Sequence, residues 1–260
     1  MGERKLGENE SITTPSDFIR YVSENRKIPI EKIKLPKRLL ITYQRNTYEC
    51  AKNLVGGTFV NWWVYGESQP LCIGQYNDVE IGISRFWVGA SATVMTLEEV
   101  IACGAKKVFE IGMSGGLQSF LQPGNIVVVT EAIRDEGTSY HYLPPEEKVE
   151  ASTGLRNKLI EHLTDRKIEH FIGPVWSTDG VYRETRGKFR KFRDAGILAV
   201  NMETSAIFAV ARYRNVKAAS AQVISDILTE KGWLQAFGHR SVGESTEVLL
   251  KTVLEILSES

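Results

Sequence analysis

The feature that most constrains the fold is a regular alternation of short apolar runs with amphipathic segments of about a dozen residues. Runs typical of β-strands lie at 38–43, 106–116, 123–133, 168–177, 197–202 and 216–225. Segments with helical spacing lie at 16–25, 46–55, 91–104, 152–167, 184–196, 203–215 and 242–260. Strands that alternate with helices need crossover connections. The sequence therefore predicts a single-domain three-layer α/β fold, with a central mixed, largely parallel sheet flanked by helices.

The region between 59 and 88 departs from this alternation. Three consecutive runs rich in β-branched and aromatic residues, 59–66, 69–76 and 79–88, indicate strands joined by turns, which could form a meander. No linker rich in Pro, Gly or Ser divides the chain. We predict a flexible polar tail at 1–15 and one domain at 16–260.

The charge balance excludes several classes of partner. The 32 Lys and Arg residues equal the 32 Asp and Glu residues, so neither a nucleic acid nor a membrane surface is expected as partner.

The sequence contains no apolar stretch of about 18 residues, so no transmembrane helix is predicted. The polar N-terminus lacks a secretory signal. Cys50, Cys72 and Cys103 are expected to be buried free thiols in a reducing compartment. We expect a cytoplasmic protein.

Four segments follow predicted strands, where ligands of open α/β sheets bind. They are Gly112–Gly116, Arg134–His141, Asn201–Glu203 and Ser225–Asp226. Each also has a structural explanation: a tight glycine turn, a solvated charged loop, a carboxylate that stabilises the helix dipole, and a helix cap. Taken singly, none of them indicates a function.

Together these segments resemble a known family. IGMSGG, AIRDEGTSYHYLP, VNMETSAIFAVA and VISD, in this order, are similar to motifs of the nucleoside phosphorylase and nucleosidase family, which includes purine nucleoside phosphorylases, uridine phosphorylases and AMP nucleosidases. The similarity runs from about residue 37 to the C-terminus. It implies a phosphorylase/hydrolase-like fold, cleavage of the N-glycosidic bond of a small-molecule nucleoside or nucleotide, and a homo-oligomer, either dimer or hexamer.

The resemblance also implies site residues. Met202, Glu203 and Asn201 correspond to the ribose-binding positions, although most relatives carry Glu or Asp where this chain has Asn201. Glu203 is expected to be catalytic as well, because a carboxylate stabilises an oxocarbenium-like transition state. Asp226 corresponds to the acid that protonates a departing purine.

Base-binding positions correspond to Val181, Tyr182 and Asp226. The pyrimidine-specific branch carries a Gln-x-Arg pair where this chain has Thr185 and Gly187. A purine base is therefore favoured.

The nucleophile subsite departs from the family pattern. Glu110 stands at the position of the phosphate-binding Arg, where a carboxylate would repel a dianion, and Met113 and Trp87 replace small residues. Gln44, Arg45 and Arg85 are the remaining candidates for contacts with phosphate or water. We expect no cofactor, with inorganic phosphate as the candidate co-substrate. Whether phosphate or water attacks stays open, and so does a nucleoside- or nucleotide-binding protein with little or no catalytic activity.

The remaining polar features carry weaker expectations. The four histidines lack the spacing of metal ligands, so no metal is predicted, and a ligand role for His141 stays open. The basic run 186–193 could form a nucleic-acid patch, but a solvated helix with Phe189 and Phe192 turned inward is favoured.

Overall fold

The computed structural model describes residues 11–259. Its helices are α1 (Pro15–Arg26), α2 (Arg45–Leu54), α3 (Ala90–Ala102), α4 (Thr153–Asp165), α5 (Arg186–Asp194), α6 (Thr204–Tyr213) and α7 (Arg240–Ser258). Its strands are β1 (Arg38–Thr42), β2 (Thr58–Phe59), β3 (Leu71–Tyr76), β4 (Val79–Arg85), β5 (Lys107–Gly116), β6 (Ile126–Asp135), β7 (Val149–Glu150), β8 (His170–Thr178), β9 (Ala199–Asn201), β10 (Lys217–Thr229) and β11 (Gly232–Gln235). Short 3₁₀ turns occupy Ile30–Lys32, Thr138–His141 and Val181–Arg183.

The strands form one mixed sheet in the order β11-β10-β6-β8-β9-β5-β1-β4-β3-β2, with β7 beside β6. An additional parallel pairing of β10 with β5 closes five of these strands into a ring. Parallel pairs join β1 to β4 and β5, β5 to β10, and β8 to β6 and β9; the other pairs are antiparallel. The predicted mixed α/β sheet is confirmed, with a larger antiparallel share than the alternation suggested.

Helices cover both faces of the sheet. Apolar side chains of α1, α3 and α6 pack in one buried cluster with the sheet, and those of α2, α4 and α7 pack in a second cluster. A smaller third cluster, around Trp176, contains Phe189 and Phe192 of α5. The inward orientation predicted for these two phenylalanines is confirmed, because both are buried while α5 exposes Arg186, Arg190 and Lys191.

The structure differs from the sequence prediction in three places. Of the run 59–66 only Phe59 lies in a strand, β2, because Trp62 and Trp63 turn into the core instead of extending the sheet. The hairpin strand β11 and the short strand β7 were not predicted. The predicted tail at 1–15 falls largely outside the described residues, and Thr14 caps α1 with a reciprocal hydrogen-bonded pair to Asp17.

Glycines allow β5 and β10 to pack side by side beneath the site. A β-carbon on Gly112 would lie 2.5 Å from Gln222 Oε1, and one on Gly115 would lie 2.6 Å from Leu228 Cδ1 and 2.9 Å from Asp226 Oδ2. The segment IGMSGG is therefore part of a strand whose glycines admit side chains from β10. The alternative of a tight glycine turn is wrong here.

Two further expectations concern membrane-spanning helices and the cysteines. Within 11–259 no helix is long and apolar enough to cross a membrane. All three cysteines are free; Cys72 and Cys103 are buried, while Cys50 is half-buried.

Gly74 provides a test of the packing of β3 against the end of α2. A β-carbon there would fall on the carbonyl oxygen of Val55, far inside contact distance. Gly74→Ala is expected to lower the free energy of unfolding by about 2 kcal/mol or more, measured by urea denaturation.

Gly154 in α4 provides the matched control, since a β-carbon there meets nothing within 4 Å. Gly154→Ala is expected to leave stability unchanged or to raise it by up to about 1 kcal/mol. Equal effects of the two substitutions would contradict the packing described for Gly74.

Candidate active site

A large cavity opens beside four neighbouring strands, of which β1, β5 and β10 run parallel and β9 runs antiparallel to β5. Its volume is about 1220 Å³, far more than a single water site. Tyr43 follows β1, Met113 lies in β5, Asn201 ends β9 and Asp226 lies in β10, and all four line the cavity. For the three parallel strands this is the carboxyl-terminal side, where ligands of α/β sheets bind. Three of the four predicted segments meet here.

Glu203 is fixed at the cavity wall by backbone donors. It is the N-cap residue of α6 and is almost fully buried, with 5% of its surface exposed. Its Oε1 accepts the N–H of Gly89 at 2.8 Å, and its Oε2 accepts the N–H of Met202 at 3.1 Å. Burial, together with the charge of Glu110, raises the pKa of Glu203 to about 8. Both oxygens retain lone pairs that a ligand hydroxyl could use.

Glu110 lies behind the wall and does not line the cavity. Its side chain has no exposed surface. The hydroxyl of Tyr43 donates to its Oε1 at 2.7 Å, and the hydroxyl of Thr204 donates to its Oε2 at 2.7 Å. Burial raises the pKa of this carboxyl and so favours its neutral form. The expected repulsion of a dianion is therefore weakened, because Glu110 is enclosed behind the wall.

Asn201 faces into the protein as much as into the cavity. Its Oδ1 accepts from Ser177 Oγ at 2.7 Å, and its Nδ2 donates to Thr204 Oγ1 at 2.5 Å. Ser177 Oγ also accepts the backbone N–H of Ser205 at 3.0 Å. The amide thus braces the turn that carries Glu203, which explains why an uncharged residue fits this buried position. Ribose contact by Asn201 stays a prediction.

Asp226 is also held on the cavity wall by two hydrogen-bond donors. Its Oδ1 accepts from Ser225 Oγ at 2.7 Å, and its Oδ2 accepts from the indole Nε1 of Trp233 at 2.7 Å. Asp226 lies where the pairing of β10 with β5 shifts register after Ile224, and the strand continues into the β11 hairpin. Asp226 is therefore a strand residue and not a cap of the next segment.

The cavity brings together most of the predicted site residues. Those on its wall are Gln44, Arg45, Met113, Val181, Tyr182, Asn201, Met202, Glu203 and Asp226. Arg85 is turned away, since its guanidinium donates to the carbonyls of Glu67 at 3.0 Å and Ser68 at 3.3 Å. Trp87 packs edge-on against Tyr65, with ring centroids 5.6 Å apart, and is not among the cavity-lining residues.

The predicted loop Arg134–His141 does not line the cavity. Arg134 donates to the carbonyls of Leu143, Pro144 and Glu147 and thereby folds the loop onto itself. Glu136 accepts a hydrogen bond from the hydroxyl of Ser205 at 2.9 Å, so this loop is hydrogen-bonded to the first turn of α6. His141 is exposed outside the cavity. Among residues 11–259 no group of His, Cys, Asp and Glu is arranged to hold a metal.

Sequence reasoning missed several residues on the cavity wall. They are Tyr43, Glu184, Arg186, Trp233 and Phe237. Burial and the nearby charge of Asp226 raise the pKa of Glu184 to about 7. The Glu230–Gly232 turn between two short apolar runs was a hairpin signal that would have brought Trp233 back beside Asp226. Nothing in the local pattern identified Glu184.

The cavity wall carries two groups of residues with different chemistry. Glu203 presents a backbone-fixed acceptor beside Met202 and Tyr43, which suits hydroxyl groups of a ligand. Asp226 and Glu184 place two carboxyl groups near the aromatic rings of Trp233 and Phe237, which suits a flat ring with N–H groups.

Comparison with known proteins identifies curated relatives. The chain is 29% identical to the guanosine phosphorylase of Halorubrum lacusprofundi over 143 residues, 55% of this chain and 59% of that protein. It is 24% identical to the uridine phosphorylase of Haemophilus influenzae, over 58% of this chain and 61% of that protein. It is also 23% identical to the DeoD-type purine nucleoside phosphorylase of Bacillus cytotoxicus, over 72% and 77%. The chain thus spans about three fifths of the length of the first two relatives.

A solved structure has the same fold. The uridine phosphorylase of Vibrio fischeri ES114 superimposes with a TM-score of 0.78 at 22% identity, covering 87% of this chain and 93% of the other. The family model described as Phosphorylase superfamily matches residues 51–259, most of the chain. The chain belongs to the phosphorylase superfamily.

Proposed function

We propose that this protein is an enzyme that cleaves the N-glycosidic bond of a small-molecule nucleoside, with a purine base preferred. The observation that carries the proposal is the placement of two buried carboxyl groups, Glu203 and Asp226, on the wall of one cavity. The named relatives act on guanosine, uridine and purine nucleosides, which supports the reaction class.

The ribose is proposed to bind at Glu203. An ionised carboxylate makes stronger hydrogen bonds to the ribose hydroxyls than a neutral group, and its charge stabilises the cationic sugar ring of the transition state. The backbone N–H groups of Gly89 and Met202 already orient it, so little reorganisation is needed. Met202 lies beside it on the same wall, where its side chain would pack on the sugar.

The base is proposed to bind between the Val181–Tyr182 segment and Asp226. The electron pair of the breaking C1′–N bond moves onto the base, and a proton from Asp226 neutralises it. Thr185 accepts from the backbone N–H of Lys188 at 3.3 Å and Gly187 has no side chain, so neither offers the amide or guanidinium that pairs with a pyrimidine. This supports the purine preference.

Two nucleophiles have support from different residues. Arg45 lies on the cavity wall in the first turn of α2, and within the described part of the chain its guanidinium has no hydrogen-bond or ion-pair partner, so it could hold phosphate. Glu110, in place of the family's arginine, favours water. Phosphate as co-substrate, and assembly into a homo-oligomer, remain parts of this proposal.

A nucleoside panel tests the function. Guanosine, inosine, adenosine and uridine are incubated with and without phosphate, and the sugar product is identified by mass spectrometry. We expect cleavage of at least one purine nucleoside, with uridine at least about tenfold slower in kcat/KM. Ribose 1-phosphate identifies phosphorolysis and free ribose identifies hydrolysis. Binding of nucleosides without turnover would support the binding-protein alternative instead.

Glu203→Gln tests the role of the carboxylate. The substitution keeps the side-chain shape but removes the charge, so kcat is expected to fall at least about 100-fold while the fold is retained by circular dichroism. In the unaltered enzyme kcat/KM should rise as pH approaches about 8, because Glu203 ionises through that range. A Glu203→Gln enzyme with nearly unaltered kcat would contradict the assignment.

A further inference from the structure

The pair formed by Tyr43 and Glu110 has no role in the proposed ribose and base contacts. Glu110 is fully enclosed, and both of its oxygens accept hydrogen bonds from hydroxyl groups. The polar groups that face it are Tyr43 after β1, Thr204 and Glu203 at the start of α6, and Ser220 on β10. Nothing positively charged is among them. A buried carboxyl held only by hydroxyls is a proton acceptor without a counter-ion.

Tyr43 connects this carboxyl to the cavity. Its side chain is on the cavity wall near Glu203, and its hydroxyl donates to Glu110 Oε1 at 2.7 Å. A tyrosine hydroxyl has one proton and two lone pairs. Its proton is directed to Glu110, and the hydroxyl of Thr93 also hydrogen-bonds to its oxygen, so one lone pair is left to accept a hydrogen bond from a molecule in the cavity.

We propose that Tyr43 and Glu110 activate water as the nucleophile of the reaction. The inference rests on the proposed N-glycosidic cleavage and names the molecule that attacks. Water donates to Tyr43 Oη, and its oxygen forms a bond to C1′ as the C1′–N bond breaks. The water proton passes to Tyr43 Oη while the tyrosine proton passes to Glu110 Oε1. The electron pair of the broken bond stays on the base, which takes its proton from Asp226. The products are ribose and the free base.

The surroundings of Glu110 supply the driving force for this transfer. Burial raises the pKa of the carboxyl, so the ionised form, once present, is a strong base and gains by taking a proton. Its neutralisation also removes a negative charge near Glu203, whose own pKa is raised by Glu110. Glu203 is then left as the charged group beside the cationic sugar. Tyr43 itself stays protonated overall, because burial and Glu110 raise its pKa well above the usual value.

The competing arrangement is phosphate held by Arg45. Phosphate needs no general base, since it is already an anion, and Tyr43 and Glu110 would then serve only to brace the wall. The two arrangements predict different products and different effects of removing the Tyr43 hydroxyl.

Tyr43→Phe tests the relay, and Tyr65→Phe is its matched control. Tyr65 also donates its hydroxyl to a buried carboxyl, Glu99 Oε1, at 2.8 Å, but it does not line the cavity. Cleavage of a purine nucleoside is measured without phosphate, in water enriched in ¹⁸O. We expect ribose labelled at C1′ from the unaltered enzyme. In Tyr43→Phe kcat should fall at least about 100-fold with KM within about threefold, whereas Tyr65→Phe should change kcat by less than about threefold.

Azide separates loss of the base from general damage to the site. Azide attacks carbon without losing a proton, so it needs no base. In Tyr43→Phe it is expected to raise turnover at least about tenfold and to give ribosyl azide, as it should in Glu110→Gln, provided that variant keeps the unaltered melting temperature. A structural role of the hydroxyl would give a slow variant that azide does not restore.

The outcomes distinguish this inference from the proposed function. Ribose 1-phosphate as the sole sugar product, formed only with phosphate present, would overturn the water relay and leave the cleavage function standing. A Tyr43→Phe enzyme as fast as Tyr65→Phe would overturn it as well. No cleavage of any nucleoside under either condition would contradict the proposed function itself.

Discussion

The parallel pairing of β5 with β10 is the constraint on which the rest of the structure depends. It runs from Lys107 opposite Lys217 to Gly116 opposite Ile227 and closes five strands into a ring. The closure brings the ends of strands that are far apart in sequence to one edge, so that Glu203 and Asp226 share a cavity. Gly112 and Gly115 are required because side chains of β10 occupy the space of their absent β-carbons. The glycines of Gly112–Gly116 therefore allow β5 and β10 to pack together, and the cavity forms because these strands are paired.

Beneath the cavity lies a buried polar network that determines where charge can reside. Tyr43, Glu110, Thr204, Asn201 and Ser177 are linked by hydrogen bonds of 2.5 to 2.7 Å. Burying a polar group is costly unless it is hydrogen-bonded. In this network each hydroxyl and amide group forms a hydrogen bond with a neighbouring side chain. Enclosure raises the pKa of Glu110 and Glu203 together, so the two carboxyl groups compete for ionisation. The charge available to a ligand is thus set by groups that the ligand does not touch.

The order of strands and helices was predictable because hydrophobic periodicity reports local burial directly. The same holds for Phe189 and Phe192, whose spacing places both on one face of α5. The placement of Glu110 and Arg85 was not predictable, since proximity in sequence to a motif does not decide which way a side chain turns. Trp233 was missed because its contact with Asp226 depends on the β10–β11 hairpin, whose turn signal in the sequence was overlooked. The sequence motifs identified most of the residues on the cavity wall. Which of the residues near those motifs also face the cavity depends on three-dimensional packing.

The two N–H groups that hold Glu203 belong to the main chain, and this has an evolutionary consequence. An amide of the backbone is encoded by every residue except proline, so substitutions of nearby side chains cannot remove it. Gly89 is a position where the residue type does matter, because its φ of +102° favours glycine. The surrounding positions are therefore free to diverge while the carboxylate keeps its orientation. Nearby side chains such as those of Glu110 and Met113 can therefore change in a lineage without loss of the two backbone hydrogen bonds that orient the Glu203 carboxyl group.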